Sequence, residues 1–181
     1  MKKGIATKKG GKFKATISGD LVISNEKEAV NLHNKNRFGE LVGGKIQYSL
    51  SEALYLLEQS KIEVHDSKKR LSYDAFLKKA KRLEPNIILR YKVFADLRKR
   101  GFIVKTALKF GADFRVYERG KKPGKAHAKW LVSPVKGNSK IIWYDLAAKS
   151  RVAHSTKKNL LIAVVDDEGD ITYYEVGWIK P

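Results

Sequence analysis

The sequence predicts an α/β fold (α+β overall) in two parts. A small mixed N-terminal domain occupies 1–85, and a C-terminal domain with a mixed β-sheet flanked by helices occupies 86–181. Three observations lead there. Period-two and 3.6-residue hydrophobic patterns are interleaved along the whole chain, so neither all-α nor all-β architecture fits. A break at Leu83-Glu84-Pro85-Asn86 divides the patterns near the middle, because Pro85 disfavours helix at Glu84 and Asn86 can cap a new one. Beyond the break the pattern reads helix, three strands, helix, two strands, a mixed sheet with helices on it.

In the first part, Phe13 to Ile17 alternates like a strand, and Ser18-Gly19-Asp20 turns it into a second strand, Leu21 to Ile23. Asn25 is placed to cap a short helix through about Asn34. Lys45 to Tyr48 is a strand; Ser49 with Glu52 has the form of a capping box, opening a helix through Leu57. Ile62 to Val64 is a short strand, and Ser72 caps a helix over Tyr73 to Leu83. The Lys/Gly-rich start is expected to fray.

In the second part, Leu89, Val93 and Leu97 fall on one face of a helix from Ile88 to Arg100, which Gly101 stops. Strands follow over Phe102 to Leu108, Asp113 to Glu118, and Ala128 to Pro134. A helix runs from Ile142 or Asp145 to Val152. Leu160 to Val165 is an apolar, buried strand. Asp166-Asp167-Glu168-Gly169-Asp170 forms a hairpin turn into the last strand, Ile171 to Trp178.

Charge narrows the function. The 38 Lys+Arg exceed the 19 Asp+Glu, giving +19 and a pI near 10.0. Self-repulsion on that scale opposes folding, and a polyanion relieves it: nucleic acid first, an anionic membrane surface second. Between Arg100 and Lys129 nine basic residues meet only Asp113 and Glu118, with Phe110, Phe114, Tyr117 and Trp130 interleaved. Cations for phosphates and flat faces for unstacked bases suit RNA. Several classes drop out. Cysteine is absent, so no disulfide or thiolate metal site exists, which fits a reducing cytoplasm. There is no HExxH, no phosphate-binding GxxxxGK[ST], no GxSxG and no apolar run long enough to span a bilayer.

Among the four histidines, His127 stands out. It follows the loop Gly120-Lys121-Lys122-Pro123-Gly124-Lys125 and immediately precedes an apolar strand, a place where loops carry function. Alone, it reads more readily as a solvated or hydrogen-bonded surface histidine. Tyr117 alone reads as a half-buried strand residue, and Lys157-Lys158 as a solvated pair before a strand.

Longer motifs change that reading. YKVFADLRKRGFIV from Tyr91, KFGADFRVY ending at Tyr117, HAKWLV from His127, RVAHSTKK ending at Lys158, and the terminal YYEVGW together resemble the tRNA-splicing endonuclease family, in its short archaeal, homotetrameric type. The resemblance covers essentially all of 88–181, in order. The first half matches the family's auxiliary domain in size and pattern, less diagnostically. The resemblance implies a restriction-endonuclease-like catalytic domain and an RNA endonuclease that removes introns from precursor tRNA at bulge–helix–bulge sites. It also implies no metal and no cofactor, with Tyr117 as base, His127 as acid and Lys158 as charge stabiliser. The residue types alone leave open whether Tyr117 or His127 is the base. Arg151 matches a family arginine that holds bulge bases, though it also reads as a helix-end cation. The acidic turn Asp166, Asp167, Glu168 and Asp170 is implied to dock on another subunit of a homotetramer; its plain reading is a hairpin turn. Two alternatives stand beside this: a non-catalytic RNA-binding subunit of a splicing assembly, and a metal-dependent DNA nuclease. The latter needs clustered carboxylates, whereas Asp113 and Glu118 lie an odd number apart and face opposite ways on a continuous strand.

Overall fold

The computed structural model describes residues 12–179; the Lys/Gly-rich start lies outside them. The chain divides into two units, 1–79 and 80–181. It is mixed α/β, with five α-helices and two mixed sheets among the described residues.

The first unit is built on a sheet of six strands: β1 (Phe13–Ser18), β2 (Leu21–Ser24), β3 (Glu40–Val42), β4 (Lys45–Ser49), β5 (Ile62–Asp66) and β6 (Lys69–Arg70), in the order β3-β4-β2-β1-β5-β6. Only β1 and β5 run parallel; the other neighbours are antiparallel. The short β3 and β6 have no alternating apolar pattern, which is why sequence reading passes over them. Helix α1 (Lys27–Asn36) starts after Glu26, and no side chain caps it, so Asn25 does not perform the expected role. Helix α2 (Leu50–Glu58) has the full capping box: Ser49 Oγ accepts from Glu52 N (3.3 Å), and the Glu52 carboxylate accepts from Ser49 N (3.1 Å). Its other oxygen accepts from the buried Gly39 N–H at 2.8 Å. Helix α3 (Tyr73–Leu83) is capped by Ser72, whose hydroxyl accepts from Ala75 N at 3.2 Å.

The second unit carries the candidate site. Helix α4 (Ile87–Lys99) begins after Asn86, which makes no side-chain cap bond, contrary to the expectation for that residue. Its end is a Schellman turn: Gly101, at φ +88°, donates to Arg98 O, and Phe102 N donates to Leu97 O. Five strands follow: β7 (Ile103–Thr106), β8 (Phe114–Tyr117), β9 (Trp130–Lys136), β10 (Asn159–Val165) and β11 (Ile171–Val176). They order as β11-β10-β9-β8-β7, with β9 and β10 parallel and the rest antiparallel. Helix α5 (Trp143–Ser155) is the crossover between the parallel pair. The expected strand through Leu108 stops at Thr106, because Leu108–Phe110 winds into a 3₁₀ turn. The expected strand from Ala128 starts at Trp130.

Alternation along the sheet sorts the side chains. Phe114 and its neighbours face α4, where the Phe94 and Phe114 rings lie 5.9 Å apart. Leu131, Leu160, Ile162 and Ala153 of α5 form one buried cluster on the other face. Arg115 is the register partner of Leu131, so Arg115 and Tyr117 share that second face.

Candidate active site

A cavity of about 400 Å³ opens in the second unit, lined by Phe110, Arg115, Tyr117, Gly124, Lys125, Ala126, His127, Ala128 and Lys158. Tyr117, His127 and Lys158, some forty residues apart from first to last, meet there. Each arrives by a separate piece of local structure.

Tyr117 is the last residue of β8 and only 5% exposed, so its ring is fixed by the sheet. His127 is exposed and comes from the β8–β9 loop. That loop is closed at both ends. Lys129 N donates to Val116 O at 2.9 Å, and the Lys129 ammonium pairs with Glu118 at 2.8 Å. Ala128, 3% exposed, anchors the backbone next to the imidazole. Within the loop, Lys125 N and Ala126 N both donate to Lys122 O.

Lys158 follows α5. The helix ends in a second Schellman turn, with Lys157 N donating to His154 O (2.9 Å) and Lys158 N to Ala153 O (2.8 Å). Lys157 occupies the left-handed position at φ +55° that usually falls to glycine. This turn separates two adjacent lysines: Lys157 is exposed, while Lys158 lines the cavity. The Lys158 ammonium donates to Thr156 O at 2.7 Å and lies 5.3 Å from the centre of the Phe110 ring. Burial first, then the nearby Arg115 guanidinium, hold its pKa below the usual lysine value.

No carboxylate lines the cavity among the described residues. The two acids of the basic stretch are committed elsewhere. Asp113 pairs with Arg90 at 3.0 Å, and Glu118 with Lys129. Burial raises the Asp113 pKa, against the opposing pull of Arg90 and Lys149. Among the described residues no group of three His, Asp or Glu is placed to hold a metal.

The remaining sequence candidates lie elsewhere. Arg151 is exposed on α5 and is not among the cavity residues. Asp166 serves its own turn, its Oδ1 accepting from Gly169 N (2.7 Å) and Asp170 N (2.8 Å). Asp167, Glu168 and Asp170 are exposed. Arg115 was not singled out from the sequence, and Phe110 entered only as one of the aromatics interleaved in the basic stretch. Arg115 carried a signal: it stands two before Tyr117 in a strand and so shares its face.

A phenol, an imidazole and an ammonium around an open cationic cavity form an acid–base set suited to an anionic substrate, the equipment of a phosphodiester-cleaving enzyme. Comparison with known proteins agrees. The model of the tRNA intron endonuclease catalytic C-terminal domain matches 87–173, and that of the family's N-terminal domain matches 13–77. The tRNA-splicing endonuclease of Thermococcus kodakarensis is 45% identical over 165 residues, 91% of this chain and 96% of that protein. That of Methanothermobacter thermautotrophicus is 41% identical over 90% of this chain and 96% of its own. That of Nanoarchaeum equitans is 41% identical over 79% and 99%. The chain belongs to the tRNA intron endonuclease family: it is an enzyme of tRNA splicing, and its second unit carries the catalytic domain.

Proposed function

We propose that this chain excises introns from precursor tRNA by cutting bulge–helix–bulge sites without a metal, using the RNA's own 2′-hydroxyl as nucleophile. Tyr117 takes the 2′-proton as the new O2′–P bond forms. His127 gives a proton to the 5′-oxygen as the P–O5′ bond breaks, and Lys158 balances charge on the phosphorane. The products are a 2′,3′-cyclic phosphate and a 5′-hydroxyl. The observation that carries the reading is the meeting of these three side chains in one cavity that no carboxylate lines among the described residues. Arg151, exposed on α5, is assigned to RNA contact outside the cleavage cavity.

The working form is a homotetramer in the cytoplasm. Support comes from the exposed acidic turn and from β11, an edge strand whose Tyr174 is 58% exposed. A solvent-facing apolar run at the start of α5, with Trp143 81% and Tyr144 80% exposed, adds surface suited to burial against another copy.

The test is incubation with a bulge–helix–bulge pre-tRNA in EDTA, followed by analysis of the termini. Cyclic-phosphate and 5′-hydroxyl ends from RNA, and no cutting of a substrate 2′-deoxy at the scissile position, are expected. Loss of cutting in EDTA would overturn the reading, and RNA binding without cutting would point to a structural subunit instead. For the acid role, His127→Ala is assayed on a substrate carrying a good 5′ leaving group. Absence of rescue counts against His127 as the acid.

A further inference from the structure

One cavity residue has no part in that three-residue scheme, and the inference drawn from it rests on reading the cavity as the cleavage site. Arg115 lies on β8, hydrogen-bonded between β7 and β9, so its backbone is held on both sides. It shares the sheet face of Tyr117 and lines the cavity beside Lys158. Its half-buried side chain thus reaches the cavity from a rigid strand, whereas Lys125 comes from an exposed loop. The two fixed cations are near enough that Arg115 helps push the Lys158 pKa down, and no carboxylate lies among the described residues lining the space. A guanidinium held on the sheet at this cavity is placed to donate to an anion that enters it. A phosphodiester offers two non-bridging oxygens that match the guanidinium fork, a fit a lysine cannot reproduce.

We propose that Arg115 is a fourth catalytic residue, its guanidinium gripping the non-bridging oxygens of the scissile phosphate from the sheet. The ammonium of Lys158 is then free to follow the charge that develops as O2′ attacks. Arg115 transfers no proton; it donates hydrogen bonds that strengthen as the phosphate becomes a dianionic phosphorane.

The experiment is single-turnover cleavage of a bulge–helix–bulge pre-tRNA at saturating enzyme, with Arg115→Ala, Arg115→Lys and, as reference, His127→Ala. Arg115→Ala is expected to slow cutting about 10²–10³-fold, the usual cost of losing one oxyanion donor, with RNA affinity little changed. Arg115→Lys keeps the charge and lacks the fork, so a loss of roughly tenfold or more is expected. Guanidinium ion at millimolar concentration should restore part of the Arg115→Ala rate and none of the His127→Ala rate. Cutting by Arg115→Ala within about threefold of the parent overturns the proposal. So does a full-rate Arg115→Lys, or a loss that tracks a lowered melting temperature and ignores guanidinium. If His127→Ala itself cuts normally, the cleavage-site reading fails, an outcome separate from any result at Arg115.

Discussion

The alkaline limb of the pH–rate profile tests the role of Lys158 directly. Its ammonium has three donors, and one is already used on Thr156 O at 2.7 Å, leaving two for substrate. Removing a preorganised donor of this kind costs about 10²–10³ in rate, roughly 3–4 kcal/mol, which sets the expectation for Lys158→Ala. The sign of the pH effect follows from the environment. Burial and Arg115 both disfavour the charged form, so Lys158 loses its proton below the ordinary lysine value of 10.5. Activity that needs the ammonium therefore falls on the alkaline side before pH 10.5. Lys158→Arg keeps a charge that does not titrate in this range, so the fall should vanish or move up, while the misfit of the larger head lowers the plateau about tenfold. The assay is single-turnover cleavage of end-labelled pre-tRNA from neutral pH upward, corrected for uncatalysed RNA breakdown. An alkaline limb that is the same in the parent and in Lys158→Arg would refute the reasoning, because another group would then own it. Linkage gives a companion result. A lysine whose folded pKa is depressed penalises folding below that pKa, and the penalty is relieved as pH rises through it. Lys158→Met should therefore be relieved of that penalty at neutral pH, read as a melting temperature raised relative to the parent, while losing cleavage.

Three further expectations concern the scaffold. Glu52→Ala removes the acceptor of Ser49 N and of the buried Gly39 N–H, so it should lower the stability of the first unit by about 2–3 kcal/mol in denaturant titration; Glu52→Gln should lose much less. Gly101→Ala places a Cβ at φ +88° in a Schellman turn with open space around it, so strain alone acts, and a loss of about 1–2 kcal/mol is expected in thermal melts. Neutralising Asp167, Glu168 and Asp170 together should give smaller particles with weak activity by light scattering and cleavage assay; an unchanged tetramer would count against the acidic turn as an intersubunit contact. Asp166 is left alone in that variant because it holds the turn itself.

The sequence disclosed most where one pattern decided the outcome. Ser49 and Glu52 at the right spacing gave a capping box that the structure contains, and Gly101 gave a helix stop. It disclosed less where competition decided. Asn25 and Asn86 are sound caps by residue type, yet neither helix uses the side chain. Leu108 is as apolar as any strand residue, yet it lies 69% exposed on a 3₁₀ turn, because Gly111 at φ +65° closes that turn before β8. The cavity was legible in parts. Its tyrosine, histidine and lysine follow from motif order, and Arg115 was within reach of period-two alternation. The contact between Phe110 and Lys158 was not, because it depends on where a 3₁₀ turn and the end of α5 come together, which no local periodicity encodes.

The net charge of +19 acquires a location once the acids are assigned. In the second unit Glu84 and Asp113 are bound to Arg90, Asp96 to Arg100 and to the Tyr173 hydroxyl, and Glu118 to Lys129. Glu175 accepts from the Trp130 indole and the Asn159 amide at the far strand pair. These acids neutralise or brace the frame, and none lines the cavity that holds Arg115, Lys125 and Lys158. Burial first, and Arg115 second, depress the lysine, while the acids named here are held by partners outside the cavity lining.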